Sequence, residues 1–599
     1  MRDIIKIKQT LRKETDMNQE LLEPLKFYKN TGRARHEENA RQYLDELIAR
    51  SGVDIAANHA TVKKYRAQEA AAEKIAKRIR LYKTLRVLLI IAAVIGGIIA
   101  LLSVISFVES DAAGGAIKLG IGAVVTVGSL VLIFKVINPK IKDASALREK
   151  HLEKARKYLG EAYEQMRSLN ELFDDTDAAM LIEKTLPELE LEPRFECSRE
   201  RLLREEYDFY DLLGEKDCMV DILSGSFAKN PFVFLKSKVF EMGTHTYHGT
   251  LTIRWTETYR DSEGRTRTRT RTQTLHASLT KPEPQYHTET NLCYGSQAAP
   301  DLTFMRVPQH SELLDEKDLE KKIRKGEKKL HKHAEDMIEK GADFAAMANS
   351  EFEVLFGAHN RDHEVQFRLM YTPLAQQNTV DLMTDTSGYG DDFYFRKQKR
   401  LNIITSEHGR AWKMDTGTHN YRSFDIEQIK SNFINFNNEY FKSIFFDLAP
   451  FISIPAYAES PESSYAEKPS TDRCFGDYEH EVMANRVSGE LVPEGCATEV
   501  IYKTEHLSTK NGEDRVKVLA WGYSATPRLD YVPVLGGDGR LHGVPVPWID
   551  YDYVQKESEM IVRAAEYSER EYRLACAREG RDESVFFHRM TANIINEKQ

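Results

Sequence analysis

At 599 residues the chain is too long to share one core, and its 41% hydrophobic, 30% charged and 10% aromatic residues exclude wholesale disorder. The 84 basic residues are outnumbered by 93 acidic ones, giving a formal charge of −9 and excluding a basic nucleic-acid-binding domain. Any polyanion affinity must come from a local patch.

Residues 1–85 read as an N-terminal cytoplasmic helical region, since Ala56–Arg86 lacks glycine and proline and is rich in alanine, lysine, arginine and glutamate. From Val87 to Val108 the sequence VLLIIAAVIGGIIALLSVISFV is long enough to cross a hydrocarbon core of about 30 Å as a helix. A second run, Ile117–Ile137, is interrupted only by Lys118 and Lys135 near its ends, from which long side chains snorkel to headgroups. Joined by the polar link ESDAAGGA, the runs predict a two-helix transmembrane hairpin over residues 86–138. Lys74, Lys77, Arg78, Arg80, Lys83 and Arg86 precede it, and Lys140, Lys142, Arg148 and Lys150 follow, whereas the link carries Glu109 and Asp111. The positive-inside bias predicts a multi-pass location with two spans and both termini cytoplasmic. Small residues spaced by four, Ala92/Gly96, Ala93/Gly97, Gly96/Ala100 and Ala116/Gly120, are the expected points of close helix approach. The six cysteines, Cys197, Cys218, Cys293, Cys474, Cys496 and Cys576, have no paired short spacing and fit reduced structural thiols.

After the hairpin, Pro139 is expected to bend or break the chain, and Ile141–Leu172 resumes a charged helical pattern. Residues 139–215 thus read as a cytoplasmic helical stalk. Residues 216–310 read as a β-rich domain, 311–349 as a charged helix with a Leu319, Ile323, Leu330, Ala334, Met337 stripe, and 350–457 as an α+β domain. Within the last, EFEVLF and its neighbours suggest strands, Pro373–Thr384 a helix, FYFRKQKRLNII a strand pair, and Asp425–Leu448 a helix capped by Asp425. A proline- and serine-rich linker at 458–472 leads to a C-terminal α+β region, 473–599, in which TEVIYKTEHL, DRVKVLAWGYSA and RLDYVPVLGGDGRLHGVPVPW alternate like strands joined by KNGE and GGDG turns, closed by a helix at about Val554–Glu579. The fold class is a membrane protein with a two-helix transmembrane hairpin and helical stalk, carrying a large cytoplasmic α+β region with a long β-hairpin.

That hairpin holds the most distinctive stretch in the chain, YRDSEGRTRTRTRTQTL, with Arg265, Arg267, Arg269 and Arg271 alternating with threonines. Gly264 suits the left-handed position of the turn. The preferred register sets Glu257 opposite Arg269, Trp255 opposite Arg271 and Leu251 opposite Leu275, gaining an ion pair, a cation–π contact and an apolar pair. Alternate strand residues share a face, so the guanidinium groups form a row with spacing of about 6–7 Å. Such a row binds anionic lipid, nucleic-acid backbone or an acidic protein partner; it equally keeps a long hairpin soluble and its edges unpaired. Sequence-specific nucleic-acid reading is not expected, because no aromatics interleave with the arginines.

The chain carries no phosphate-binding loop, H-E-x-x-H, G-x-S-x-G or zinc-spaced cysteine set. His359 and His363 in HNRDH, with Asp391 and Asp392 in GYGDD, are the remaining candidate metal ligands for a hydrolytic centre. The reading that follows is a membrane-anchored cytoplasmic scaffold or tether that engages a partner or an anionic surface without catalysis or cofactor, self-association being compatible with it. The alternative is a membrane-tethered, metal-dependent hydrolase.

Overall fold

The structure, a computed structural model, describes residues 20–107, 112–195, 197–209, 214–260, 262–340, 344–458, 475–565, 568–579 and 585–595. The chain divides into two compact units, Met1–Arg41 with Asp174–Thr418 and Asn435–Gln599, and Gln42–Phe173 with His419–Ile434.

The second unit is built on two long helical stretches. Ile55–Phe107 is one helix; Ala112–Leu132, a π turn at Ile133–Ile137 and Asn138–Asn170 make the other. Both are long and apolar enough to cross a membrane, and only 17% and 22% of their most apolar windows are buried. A soluble core helix hides such residues; here Leu88, Ile91, Val94, Leu101, Val124 and Phe134 are exposed. Link residues Glu109, Ser110 and Asp111 lie outside the described residues.

The helices approach through glycines. A Cβ on Gly122 would fall 2.7 Å from the Gly96 carbonyl oxygen and 2.8 Å from the Ala100 nitrogen, and one on Gly96 would fall 2.8 Å from Thr126 Oγ1. Thr126 adds a hydrogen bond, its hydroxyl donating to the Ala93 carbonyl at 3.3 Å. The Gly96/Ala100 expectation is met, whereas Gly97 and Gly120 face open space; on the second helix the contact falls at Gly122. Gly122→Leu is accordingly expected to lower the thermal stability of the detergent-solubilised protein while Gly120→Leu leaves it unchanged, as read by a melting curve of each.

Pro139 does not break the helix. It sits in the first turn of Asn138–Asn170, directly after the π turn, whose wider ring accommodates a residue that cannot donate a backbone hydrogen bond. Further along, the helices run antiparallel side by side: Gln165 Nε2 donates to Thr61 Oγ1 at 3.1 Å, and His151 Nδ1 meets Gln68 Oε1 at 2.8 Å. The inserted segment His419–Ile434 is pinned to them by Asn58, whose amide donates to Phe424 O at 2.9 Å and whose oxygen accepts from Ile426 N at 3.1 Å.

The first unit holds two antiparallel sheets. One has the order β1 (Leu189–Leu191), β2 (Cys218–Phe227), β3 (Asn230–Arg260), β4 (Thr266–Gly295), β7 (Leu401–Ser406), β6 (Phe393–Gln398), β5 (Thr303–Arg306); the other is β11 (Val585–Phe587), β12 (Met590–Ile595), β10 (Leu541–Ala564), β9 (Glu513–Leu535), β8 (Ile501–Lys510). An aromatic core including Phe232, Phe234, Tyr294, Phe395 and Phe451 lies on the first sheet; Val516, Val518, Met560 and Val562 anchor the second against Val482 and Met483. The charged helix, Glu316–Glu339, packs on its own unit through Leu319, Ile323 and buried Leu330, with Gly326 against Val354.

Several expectations hold. Pro373–Thr384 is a helix capped by Thr372, β6 and β7 pair around Lys399 with its φ of 56°, and Asp425 accepts from Glu427 N at 3.0 Å at the start of the Ile426–Ile452 helix. Two do not. EFEVLF is helical, not strand: Asn349 caps Ser350–Phe356 by accepting from Phe352 N, and Gly357 ends it with φ of 72°. The expected Val554–Glu579 helix is mostly strand; β10 continues to Ala564 because Met560 and Val562 alternate into the core, and only Glu569–Glu579 is helical. Of the expected linker, residues 459–472 lie outside those described.

Candidate binding surface on the paired ribbons

β3 and β4 outrun their sheet. β2 accompanies β3 only to Lys238, and β7 accompanies β4 only from Asn291. Beyond, the two strands continue as a two-stranded ribbon to Arg260 and Thr266, about 70 Å at 3.3 Å per residue. The register is the expected one, with Glu257 opposite Arg269, Trp255 opposite Arg271 and Leu251 opposite Leu275, and Gly264 takes a φ of 78° in the turn. One face is a threonine ladder, including the pairs Thr256/Thr270 and Thr258/Thr268, whose β-branched side chains favour extended backbone. Thr252 and Thr274 hydrogen-bond across it at 3.2 Å.

The other face is covered for part of its length by a second ribbon. β9 and β10 pair beyond their own sheet from Gly522/Val554 to Leu535/Leu541. Buried Val544 meets Ile253 and Leu275, with Leu251, Trp255, Ala277 and Val534 around them. A side chain at Gly249 would strike the Pro545 carbonyl, which is why the backbones can touch there. Lys281 lies 4.1 Å over the Trp548 ring and 3.3 Å from Asp530. The second ribbon ends at its Gly536-Gly537 turn, where Gly537 N donates to Gln273 Oε1 at 2.7 Å and a Cβ on Gly537 would lie 3.0 Å from the Trp255 ring.

Arg271, Arg269 and Arg267 follow on that same face just past this end. Glu257 holds two of them, accepting from Arg271 Nε at 2.7 Å and lying 3.7 Å from Arg269, while Trp255 Nε1 donates to its other oxygen at 3.2 Å. The expected cation–π contact of Arg271 with Trp255 gives way to this ion pair; Arg269 lies over Tyr259 at 5.9 Å instead. Arg265 pairs with Glu263 at 3.1 Å. All four arginines are exposed, so these pairs are worth at most about 1 kcal/mol each and are readily exchanged for other anions.

The four candidate metal ligands are not brought together, and among the described residues no group of three or more His, Cys, Asp or Glu is placed to hold a metal. His359 Nε2 lies 3.3 Å from the Glu353 carbonyl, and burial lowers its pKa. His363 pairs with Asp362 at 3.0 Å. Asp391 is fully buried against Arg306 and accepts from Gln309 N at 3.0 Å and Ser311 Oγ at 3.1 Å. Asp392 meets His408 Nδ1 at 2.7 Å, while His408 Nε2 lies 3.4 Å from Asp447 and the Tyr389 ring stacks on the imidazole at 3.8 Å. Adjacent aspartates thus serve two separate buried ion pairs, neither visible in the sequence.

A cavity of about 290 Å³ is lined by Asp175, Glu183, Glu192, Tyr440, His588 and Arg589 among others. Burial and the neighbouring Asp174 push the Asp175 carboxyl up to about 8. Searches against protein-family models, curated proteins and solved structures each found no match to the chain.

Proposed function

We propose that the protein is a membrane-anchored, non-enzymatic tether. In this reading the two apolar helices span a bilayer, both termini lie in the cytoplasm, and the paired ribbons present the arginine row to an anionic surface. The observation that carries it is the placement of Arg267, Arg269 and Arg271 past the end of the second ribbon, on a two-stranded arm where Arg269 and Arg271 share one carboxylate, Glu257. A hairpin needing only solubility has no use for so concentrated a row, and charge repulsion along it is relieved by a polyanion.

Each arginine near an anionic leaflet contributes about 1 kcal/mol, so four act strongly together and one is nearly dispensable. The test uses the full-length protein in zwitterionic nanodiscs, mixed with phosphatidylserine–phosphatidylcholine vesicles. Binding is expected to weaken with added salt and to fall more than tenfold when Arg265, Arg267, Arg269 and Arg271 are all changed to glutamine; Arg267→Gln alone should cost only a few-fold. Undiminished binding by the folded quadruple variant would refute the reading.

A further inference from the structure

The outward face of the second ribbon is apolar where a solvent-facing strand pair is ordinarily polar. β9 and β10 alternate, so the residues that do not meet the first ribbon point away from it. They include Leu529, Tyr531, Pro533, Leu535, Leu541 and Pro547, with Leu529 paired to Pro547 and Leu535 to Leu541. Leu529 is 52% exposed, Tyr531 66%, Leu535 64% and Leu541 70%. No charged residue stands on this face at the paired positions from Leu529/Pro547 to Leu535/Leu541; Asp530 is on the opposite side, where Lys281 of the first ribbon meets it.

The direction of this face matters. The second ribbon lies on the face of the first that carries Leu251, Ile253 and Trp255, and Arg271, Arg269 and Arg267 continue that same face beyond its end. An apolar stripe therefore ends in a row of arginines looking the same way. Leucine and tyrosine beside arginine is the composition of an interfacial membrane surface, with side chains at the acyl boundary and guanidinium groups on the phosphates. Prolines at 527, 533, 545 and 547 remove backbone donors along the edges of this ribbon, which disfavours a second copy adding as a strand.

We infer that the second ribbon is a membrane-docking element: its outer face seats Leu529, Tyr531, Leu535 and Leu541 in the interface of an anionic bilayer while the arginine row engages the headgroup phosphates. This rests on the tether reading and adds to it a second, salt-resistant component supplied by apolar burial. Electrostatic capture comes first and is screened by salt; seating of the stripe is not.

The test again uses full-length protein in zwitterionic nanodiscs with phosphatidylserine–phosphatidylcholine vesicles. Serine at Leu529, Tyr531, Leu535 and Leu541 together should leave low-salt capture within a few-fold of wild type but lower binding at high salt about tenfold. In a separate Leu535→Trp protein, emission should shift to the blue on adding these vesicles and be quenched by brominated lipid. Equal high-salt binding of the serine variant and wild type, or an indole introduced by Leu535→Trp that stays exposed on bound vesicles, would overturn the inference while leaving the arginine reading intact. A blue shift that appears without vesicles and tracks self-association would also overturn it, in favour of a second copy as the occupant. Loss of all binding in the arginine variant with the serine variant unaffected would likewise restrict the surface to the arginines.

Discussion

Arg306→Ala is expected to cost about 3–5 kcal/mol, enough to unfold much of a domain whose whole stability is about 5–15 kcal/mol. Arg306 is fully buried, donates to the Phe356 carbonyl at 3.3 Å and the Phe393 carbonyl at 3.1 Å, lies 4.2 Å over the Phe393 ring, and is the ion-pair partner of Asp391. Removing it strands a carboxylate that has 0% side-chain exposure. Replacing both charges, Arg306→Met with Asp391→Leu, removes the stranded charge and should recover a good part of the loss. Thermal melts of the three proteins in detergent check this; a single variant as stable as wild type would show that Asp391 is not held by Arg306.

The second large effect is a pair of opposed pH dependences. Burial alone would lower the pKa of His408, but Asp447 and Asp392 outweigh it and hold the imidazole up to about 10 against its ordinary 6.5. Its contribution to stability is fully present below pH 6.5 and is lost as pH rises through about 10. Lys397 is the reverse: burial lowers its ammonium to about 7 from 10.5, with Nζ donating to Ala298 O at 2.9 Å and Lys399 O at 2.7 Å. Its cost is full below pH 7 and is relieved as pH rises toward 10.5. The two slopes offset one another between about pH 7 and 10 in the native protein. Relative to wild type, Lys397→Met should therefore lose stability with rising pH across that window and His408→Gln should gain it, each by several kcal/mol. Denaturant midpoints at several pH values read this directly, and variants that run parallel to wild type would contradict it.

How far the sequence could be read depended on the range of the interactions involved. Ion pairing of Glu257 with Arg269 and the apolar pair of Leu251 with Leu275 were enough to align β3 with β4, because in a hairpin local pairing decides register. The apolar helices were legible from length alone. EFEVLF was misread because the alternation of Glu351, Phe352, Glu353 and Val354 mimics a half-buried strand over a span too short to fix a period, and Asn349 and Gly357, its caps, had to be weighed against it. The strands of the second ribbon and the GGDG turn between them were legible from their alternation, but their departure from their own sheet to lie along the first ribbon was not, because the first ribbon that supports them is far away in sequence. Of the candidate site, the arginine row was visible, but its neighbour, the apolar face of β9 and β10, depends on which residues the first ribbon covers. Arg306 with Asp391, and His408 between Asp392 and Asp447, are pairings over long separations that no local pattern announces.

Accessibility of two introduced cysteines tests the account most directly, because it asks at once whether the apolar helices cross a membrane and on which side the ribbons lie. Ser110→Cys lies in the link between the helices and Thr268→Cys near the tip of the first ribbon. With a membrane-impermeant maleimide applied to intact cells, and the unaltered protein as the background for native thiols, the tether reading predicts labelling at 110 and protection at 268 until the cells are opened. Labelling of Thr268→Cys in sealed cells, or protection of Ser110→Cys there with labelling only after lysis, would contradict it.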